Sequence, residues 1–126
     1  MTDYAIFSGP ALREFAPGGT DEERLAHVLS LGPLHAGVTL GAEGYTWRER
    51  DDRGHVPAFS VSVTDTTGAG DAFHGAFALM LAEGADIRTA VRFSAAAAAL
   101  KCANSARAGI LGAPSRAEVE AFLAKN

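Results

Sequence analysis

The densest chemical content of the chain lies in Val63-Thr64-Asp65-Thr66-Thr67-Gly68-Ala69-Gly70-Asp71-Ala72-Phe73-His74-Gly75-Ala76-Phe77. An extended segment delivers the chain into a loop of small residues, and the loop opens a helix. The first N–H groups of a helix lack intrahelical partners and point outward, and the helix dipole adds partial positive charge at the same end. Gly68, Ala69 and Gly70 carry almost no side chain to obstruct an anion, so together they describe a cradle for phosphate. Asp71 follows directly and has two readings. It is either a stabilising charge at the helix start, worth about 0.3–1 kcal/mol, or a general base. In the second case it takes the proton of a hydroxyl while the cradle holds the phosphoryl group under attack. Phosphoryl transfer needs those two parts adjacent, because its catalysis is positioning plus charge stabilisation.

Other glycine-rich loops fit worse. A Walker A loop would close on Gly-Lys-Ser/Thr, and no lysine lies near. A dinucleotide fingerprint would need a third glycine where Phe73 stands, and an acidic residue about 20 positions on within a βαβ unit. The remaining reactive residue types have plainer explanations. His74, three positions after Asp71, reads as a packed histidine, with contact to substrate or nucleotide as the alternative. His27, His35 and His55 share no metal-ligand spacing with one another or with Cys102. Cys102 reads as a small core residue, Trp47 as a packing residue, and Arg107 as an exposed loop arginine that could alternatively reach a phosphate.

These residues need a scaffold, and three zones supply it. In the first, Tyr4 to Phe7 is a short apolar run suited to a buried strand. Ser8 caps a short helix with Pro10 in its first turn, and Ala16-Pro17-Gly18-Gly19 breaks it. Thr20 with Glu23 forms a capping box for a helix over Asp21 to Leu31, whose apolar face is Leu25, Val28, Leu29 and Leu31. In the second zone, His35 to Leu40 is a strand, Tyr45 and Trp47 alternate on one face of Gly44 to Glu49, Arg50 to Gly54 is a charged turn, and His55 to Val63 is extended. This is a meander at one end of a sheet. In the third, a helix from about Ala69 to Ala82 is apolar nearly all round and reads as buried. Asp86 caps a helix to about Cys102, a loop runs from Ala103 to Pro114, and Ser115 with Glu118 opens a last helix ending near Ala124.

The 126 residues, 48% hydrophobic and 21% charged, are the size and texture of one packed globular α/β domain. Eleven Lys+Arg against fifteen Asp+Glu leave a net charge of -4, unlike the basic face of a nucleic-acid binder. The longest uncharged apolar run, Ala72 to Ala82, is far short of the roughly 20 residues that span a bilayer. No signal peptide is visible, and a single cysteine is compatible with a reducing cytosol. The expectation is a cytoplasmic protein with no nucleic-acid or membrane partner.

Asp65 to Ala78 resembles the C-terminal signature of the PfkB (ribokinase-like) carbohydrate kinases. The resemblance continues outside it. Val38-Thr39-Leu40-Gly41-Ala42-Glu43-Gly44 is similar to the family's nucleotide-phosphate loop, Phe93 to Cys102 to its alanine-rich helix near the adenine, and Pro114 to Leu123 to its closing helix. The resemblance implies a three-layer αβα ribokinase-like fold, C-terminal part only, with the sugar-binding and lid portion absent. It implies ATP-dependent phosphorylation of a sugar hydroxyl with Mg²⁺. Asp71 would be the base, and the backbone of Gly68, Ala69 and Gly70 the anion hole. Thr39, Gly41 and Gly44 would lie along the nucleotide phosphates, although a strand end and hairpin turn explains them too. Asp65 and Thr67 match positions that hold a monovalent cation, usually K⁺.

Three departures stand out. Ser8-Gly9-Pro10-Ala11 replaces an Asn-x-x-Glu element that organises Mg²⁺ and phosphate, which resembles ketohexokinase-like kinases more than ribokinase proper. Ala95 stands where many members put a polar neighbour of the adenine. Ala103-Asn104-Ser105-Ala106-Arg107 departs from the usual Thr-Arg…Gly-Gly pattern, which bears on the second half of any K⁺ site. The sequence therefore supports a kinase, a nucleotide-binding fragment without turnover, or a folded scaffold that acts through association, for example as a homo-oligomer paired through exposed edge strands.

Overall fold

The computed structural model describes residues 3–16, 18–59, 69–108 and 115–126. Its contacts fall into two compact units, Met1–Pro57 and Ala58–Asn126, a finer division than the single domain read from length.

The first unit is a four-stranded mixed sheet with two helices. Strand β1 (Tyr4–Ser8) leads into α1 (Gly9–Phe15) and α2 (Asp21–Ser30), followed by β2 (His35–Thr39), β3 (Tyr45–Glu49) and β4 (Arg53–Val56). The order is β1-β2-β3-β4. β1 and β2 are parallel, and the other two pairings are antiparallel. The parallel pair requires a crossover, which α1 and α2 provide. Local chemistry sets the helix starts. The Ala11 amide donates to Ser8 Oγ (3.3 Å), and the Glu23 amide donates to Thr20 Oγ1 while the Thr20 amide donates to Glu23 Oε1, both at 3.2 Å. Leu25 and Val28 then pack with Leu12 of α1 and with Ala36 and Val38 of β2. Leu31 does not join them. It lies beyond the helix and is 59% exposed, so the apolar face ends at Leu29.

Alternation along β2 puts His35 and Gly37 on the sheet face opposite Ala36 and Val38, and the register places Trp47 opposite Gly37 and Glu49 opposite His35. Tyr45 and Trp47 are both buried, as their alternation predicted. The charged turn is shorter than expected, because Arg53 and Gly54 already pair with Arg48 and Trp47. The Glu49 amide donates to the Asp52 carbonyl (2.7 Å) and the Arg53 amide to Asp52 Oδ1 (2.8 Å), which closes the reversal within Arg50 to Asp52. β4 ends at Val56, just before Pro57, whose ring removes the next ladder donor. The rest of the extended segment expected to Val63 lies largely outside the described residues.

The second unit holds α3 (Ala69–Ala82), α4 (Ile87–Ala108) and α5 (Arg116–Lys125). Phe73, Phe77 and Met80 form the buried stripe of α3, with the two phenyl rings edge to face at 5.9 Å. Four alanines of the run Ala95 to Ala99 are buried, because bare methyl groups let neighbouring helices approach closely. Two expectations are corrected. α3 is not buried all round: Asp71, His74, Gly75, Ala78 and Leu79 are exposed, since one 3.6-residue stripe satisfies its packing. α4 does not stop near Cys102 but continues to Ala108, through residues that include no glycine or proline before Gly109. Arg107 thus belongs to a helix rather than a loop. The caps at Asp86 and Ser115 form as expected, with Thr89 and Glu118 amides donating at 2.8 and 3.2 Å. Cys102 is half-buried. No helix among the described residues is long and apolar enough to cross a membrane.

Candidate active site

The acidic residue of the glycine-rich stretch sits in the first turn of α3, directly after Ala69 and Gly70. Gly70 is exposed, and a Cβ built there would meet nothing within 4 Å, so the space beside its Cα is open. Asp71 is exposed, and among the described residues it makes no ion pair. It borders an open groove of about 320 Å³, lined also by Gly75 and Leu79 of α3, Phe93 and Ala97 of α4, and Arg116 of α5. Gly68, Asp65 and Thr67 lie outside the described residues. His74 is corrected from a packed residue to an exposed one, with its ring 6.3 Å from that of Phe73.

Thr39, Gly41 and Gly44 share one turn of the first unit. Thr39 ends β2, half-buried, with its hydroxyl donating to the Phe7 carbonyl at 3.4 Å. A 3₁₀ turn over Gly41–Glu43 follows. The Leu40 amide donates to the Gly44 carbonyl (2.7 Å), and the Gly44 amide donates to the Gly41 carbonyl (3.0 Å). Gly41 and Gly44 have φ of 57° and 98°, a conformation that side chains disfavour and glycine adopts freely. Gly41 is exposed with open space beside its Cα. The turn closes the β2–β3 connection and leaves bare backbone at Gly41.

Two groupings escaped the sequence reading. Arg116 pairs with Glu83 and with Glu120 (3.0 Å), and its guanidinium lies 5.9 Å from the centre of the Phe93 ring, which closes one side of the groove. Its i, i+4 spacing to Glu120 was visible, but the link to Glu83 was not. The other is a buried chain of polar groups. His35 Nδ1 lies 2.9 Å from Glu49 Oε2, and His35 Nε2 lies 2.7 Å from Tyr45 Oη. Burial pushes the imidazole below its usual proton affinity, against the opposing pull of Glu49, and burial pushes the Tyr45 phenol up. No cluster of three or more His, Cys, Asp or Glu suited to a metal is present among the described residues.

A signature of the pfkB family carbohydrate kinases matches residues 6–110. The chain is 41% identical over 103 residues to the ribokinase of Bacillus subtilis, covering 81% of this chain and 34% of that protein. It superposes on the crystal structure of ribokinase from Thermotoga maritima with a TM-score of 0.88 at 38% identity, covering 98% of this chain and 42% of that one. An Escherichia coli structure described as ribokinase II in complex with ATP and Mg²⁺ gives a TM-score of 0.90 at 28% identity, covering 99% and 40%. This chain belongs to the pfkB family of carbohydrate kinases and has a ribokinase-like α/β fold. It spans 34% of the length of the curated relative and about two-fifths of the solved neighbours.

Proposed function

We propose that this chain is the C-terminal nucleotide-binding and catalytic portion of a kinase that transfers the γ-phosphoryl group of ATP to a sugar hydroxyl. The observation that carries the reading is the exposed Asp71 carboxylate, one residue past the open Gly70 backbone and beside a groove. In this reading Asp71 accepts the proton of the sugar hydroxyl as its oxygen bonds to the γ-phosphorus. The bond from that phosphorus to the bridging oxygen breaks, and ADP leaves. Backbone N–H groups of Gly68, Ala69 and Gly70 stabilise the charge on the transferring group. Thr39, Gly41 and Gly44 lie along the nucleotide phosphates, where Gly41 has room for a ligand to approach the main chain.

The family membership and the ATP and Mg²⁺ complex of the E. coli neighbour support the choice of phosphoryl donor. Mg²⁺ would neutralise triphosphate charge. Asp65 and Thr67 are proposed as ligands of a monovalent cation such as K⁺, testable as faster turnover in K⁺ than in Na⁺ buffers. The sugar contacts and lid are assigned to sequence outside these residues, so the chain alone binds nucleotide without turnover. A single cysteine is in keeping with a cytoplasmic setting.

The test is Asp71→Asn in the full-length protein that carries this chain. Loss of a general base lowers kcat by about 10²–10⁴-fold, with ATP affinity changed little. Near-normal turnover would rule out the base.

A further inference from the structure

We propose that Glu49, His35 and Tyr45 form a hydrogen-bonded positioning chain that holds the Thr39 to Gly44 turn in its nucleotide-binding shape. The inference rests on the nucleotide reading of that turn and adds to it the residues that set its geometry. Tyr45 follows Gly44 directly, so whatever fixes its ring fixes the exit of the turn. The turn needs such a restraint, because its two positive-φ glycines leave the backbone soft.

The chain of donors is self-consistent. An ionised Glu49 can only accept, so His35 carries its proton on Nδ1 and donates to Oε2 (2.9 Å). Nε2 then accepts from the Tyr45 hydroxyl (2.7 Å). His35 and Tyr45 are 0% and 1% exposed, so the bond between them is shielded from solvent, while the Glu49 side chain at the end of the chain is 25% exposed. Two of the three residues are cross-strand partners, His35 opposite Glu49. The third reaches them diagonally, because Tyr45 sits opposite Thr39 and its ring runs back over Gly37. A Cβ at Gly37 would fall 1.7 Å from Tyr45 Oη, so only glycine leaves room for the ring. An apolar trio of equal volume could fill this space but would not dictate one ring direction, which a satisfied polar network does.

The test uses Tyr45→Phe, which keeps the ring and removes the hydroxyl. Mg·ATP affinity is measured by calorimetry, and the amide NMR signals of Gly41 and Gly44 are followed with and without nucleotide. We expect affinity to fall about three- to tenfold, the worth of one hydrogen bond, with the Gly41 and Gly44 signals already displaced in the free protein. Glu49→Ala should reproduce the loss and Glu49→Gln, which still accepts from Nδ1–H, should restore binding. That pair keeps the question answerable if Tyr45→Phe fails to fold. Val28→Ala loosens the other face of β2 and should lower stability without moving affinity, separating positioning from general destabilisation. Unchanged affinity and unmoved glycine signals in Tyr45→Phe overturn this proposal alone. If Mg·ATP leaves the Gly41 and Gly44 signals of the unsubstituted chain unmoved, the nucleotide reading falls and this proposal with it.

Discussion

At the residue scale, position decides chemistry. Asp71 and Asp86 are both aspartates at helix starts, yet their surroundings differ. Asp86 accepts from the Thr89 amide at 2.8 Å, and that bond holds its carboxyl below the usual aspartate range, the mark of a structural cap. Asp71 has no such bond among the described residues and faces an open groove. We therefore expect Asp86→Asn to be mild for turnover and Asp71→Asn severe, in the same steady-state assay. His35 makes a second residue-level prediction. Burial lowers its pKa from the ordinary 6.5, so the folded state gives up its proton more readily than the unfolded chain. Its contribution to stability is present above that value and is lost as pH falls toward the folded-state pKa. Thermal unfolding between about pH 7.5 and 5.5 should show a falling midpoint in the native chain. In His35→Gln the midpoint should be lower overall but the slope shallower; an equal slope would assign the acid sensitivity elsewhere.

At the element scale, glycines with the same freedom in sequence have opposite roles in space. Gly37 lies under the Tyr45 ring, so Gly37→Ala overpacks the sheet and should cost about 1–3 kcal/mol. Gly75 is on the exposed side of α3, where a Cβ would meet nothing within 4 Å. Gly75→Ala should stabilise by about 0.5–1 kcal/mol through helix propensity. Chemical denaturation of the two variants checks both signs. Much of the element pattern was legible beforehand. The Thr20–Glu23 and Ser115–Glu118 boxes, the Ser8 cap and the Tyr45/Trp47 alternation rest on residues within a few positions of one another, where short-range hydrogen bonds and strand period act directly. The end of α4 lies beyond Cys102 because Asn104 and Ser105 weaken a helix without stopping it, and no glycine or proline intervenes before Gly109. Leu31 was misassigned because the periodic pattern outlasts the helix by one residue.

At the scale of the whole molecule, the turn proposed to bind nucleotide lies in one unit and the helix start proposed to hold the phosphoryl group, with its carboxylate, in the other. It spans 34% of the length of the curated relative. The isolated 126 residues should bind Mg·ATP yet show no sugar-dependent ATP hydrolysis in a coupled assay over hexoses and pentoses; turnover by this chain alone would place a sugar site within it. Among the described residues β1 ends the sheet order, paired with β2 on one side, and an edge of this kind invites another strand. Sedimentation of the chain over a range of concentrations should therefore report self-association, and a monomer throughout would exclude pairing through that edge.

Residue order alone was enough for the start of α3 just before Asp71, the caps and the alternating strands, because each depends on neighbours along the chain that sterics and local hydrogen bonding must bring together. The tertiary structure decided what depends on register between distant segments. The Glu49–His35–Tyr45 chain, the ring over Gly37 and the groove closed by Arg116 link residues up to 33 positions apart. No local rule selects such partners. They follow from which strand lies beside which and from how closely two helices pack, and those are settled only by burying the whole core at once.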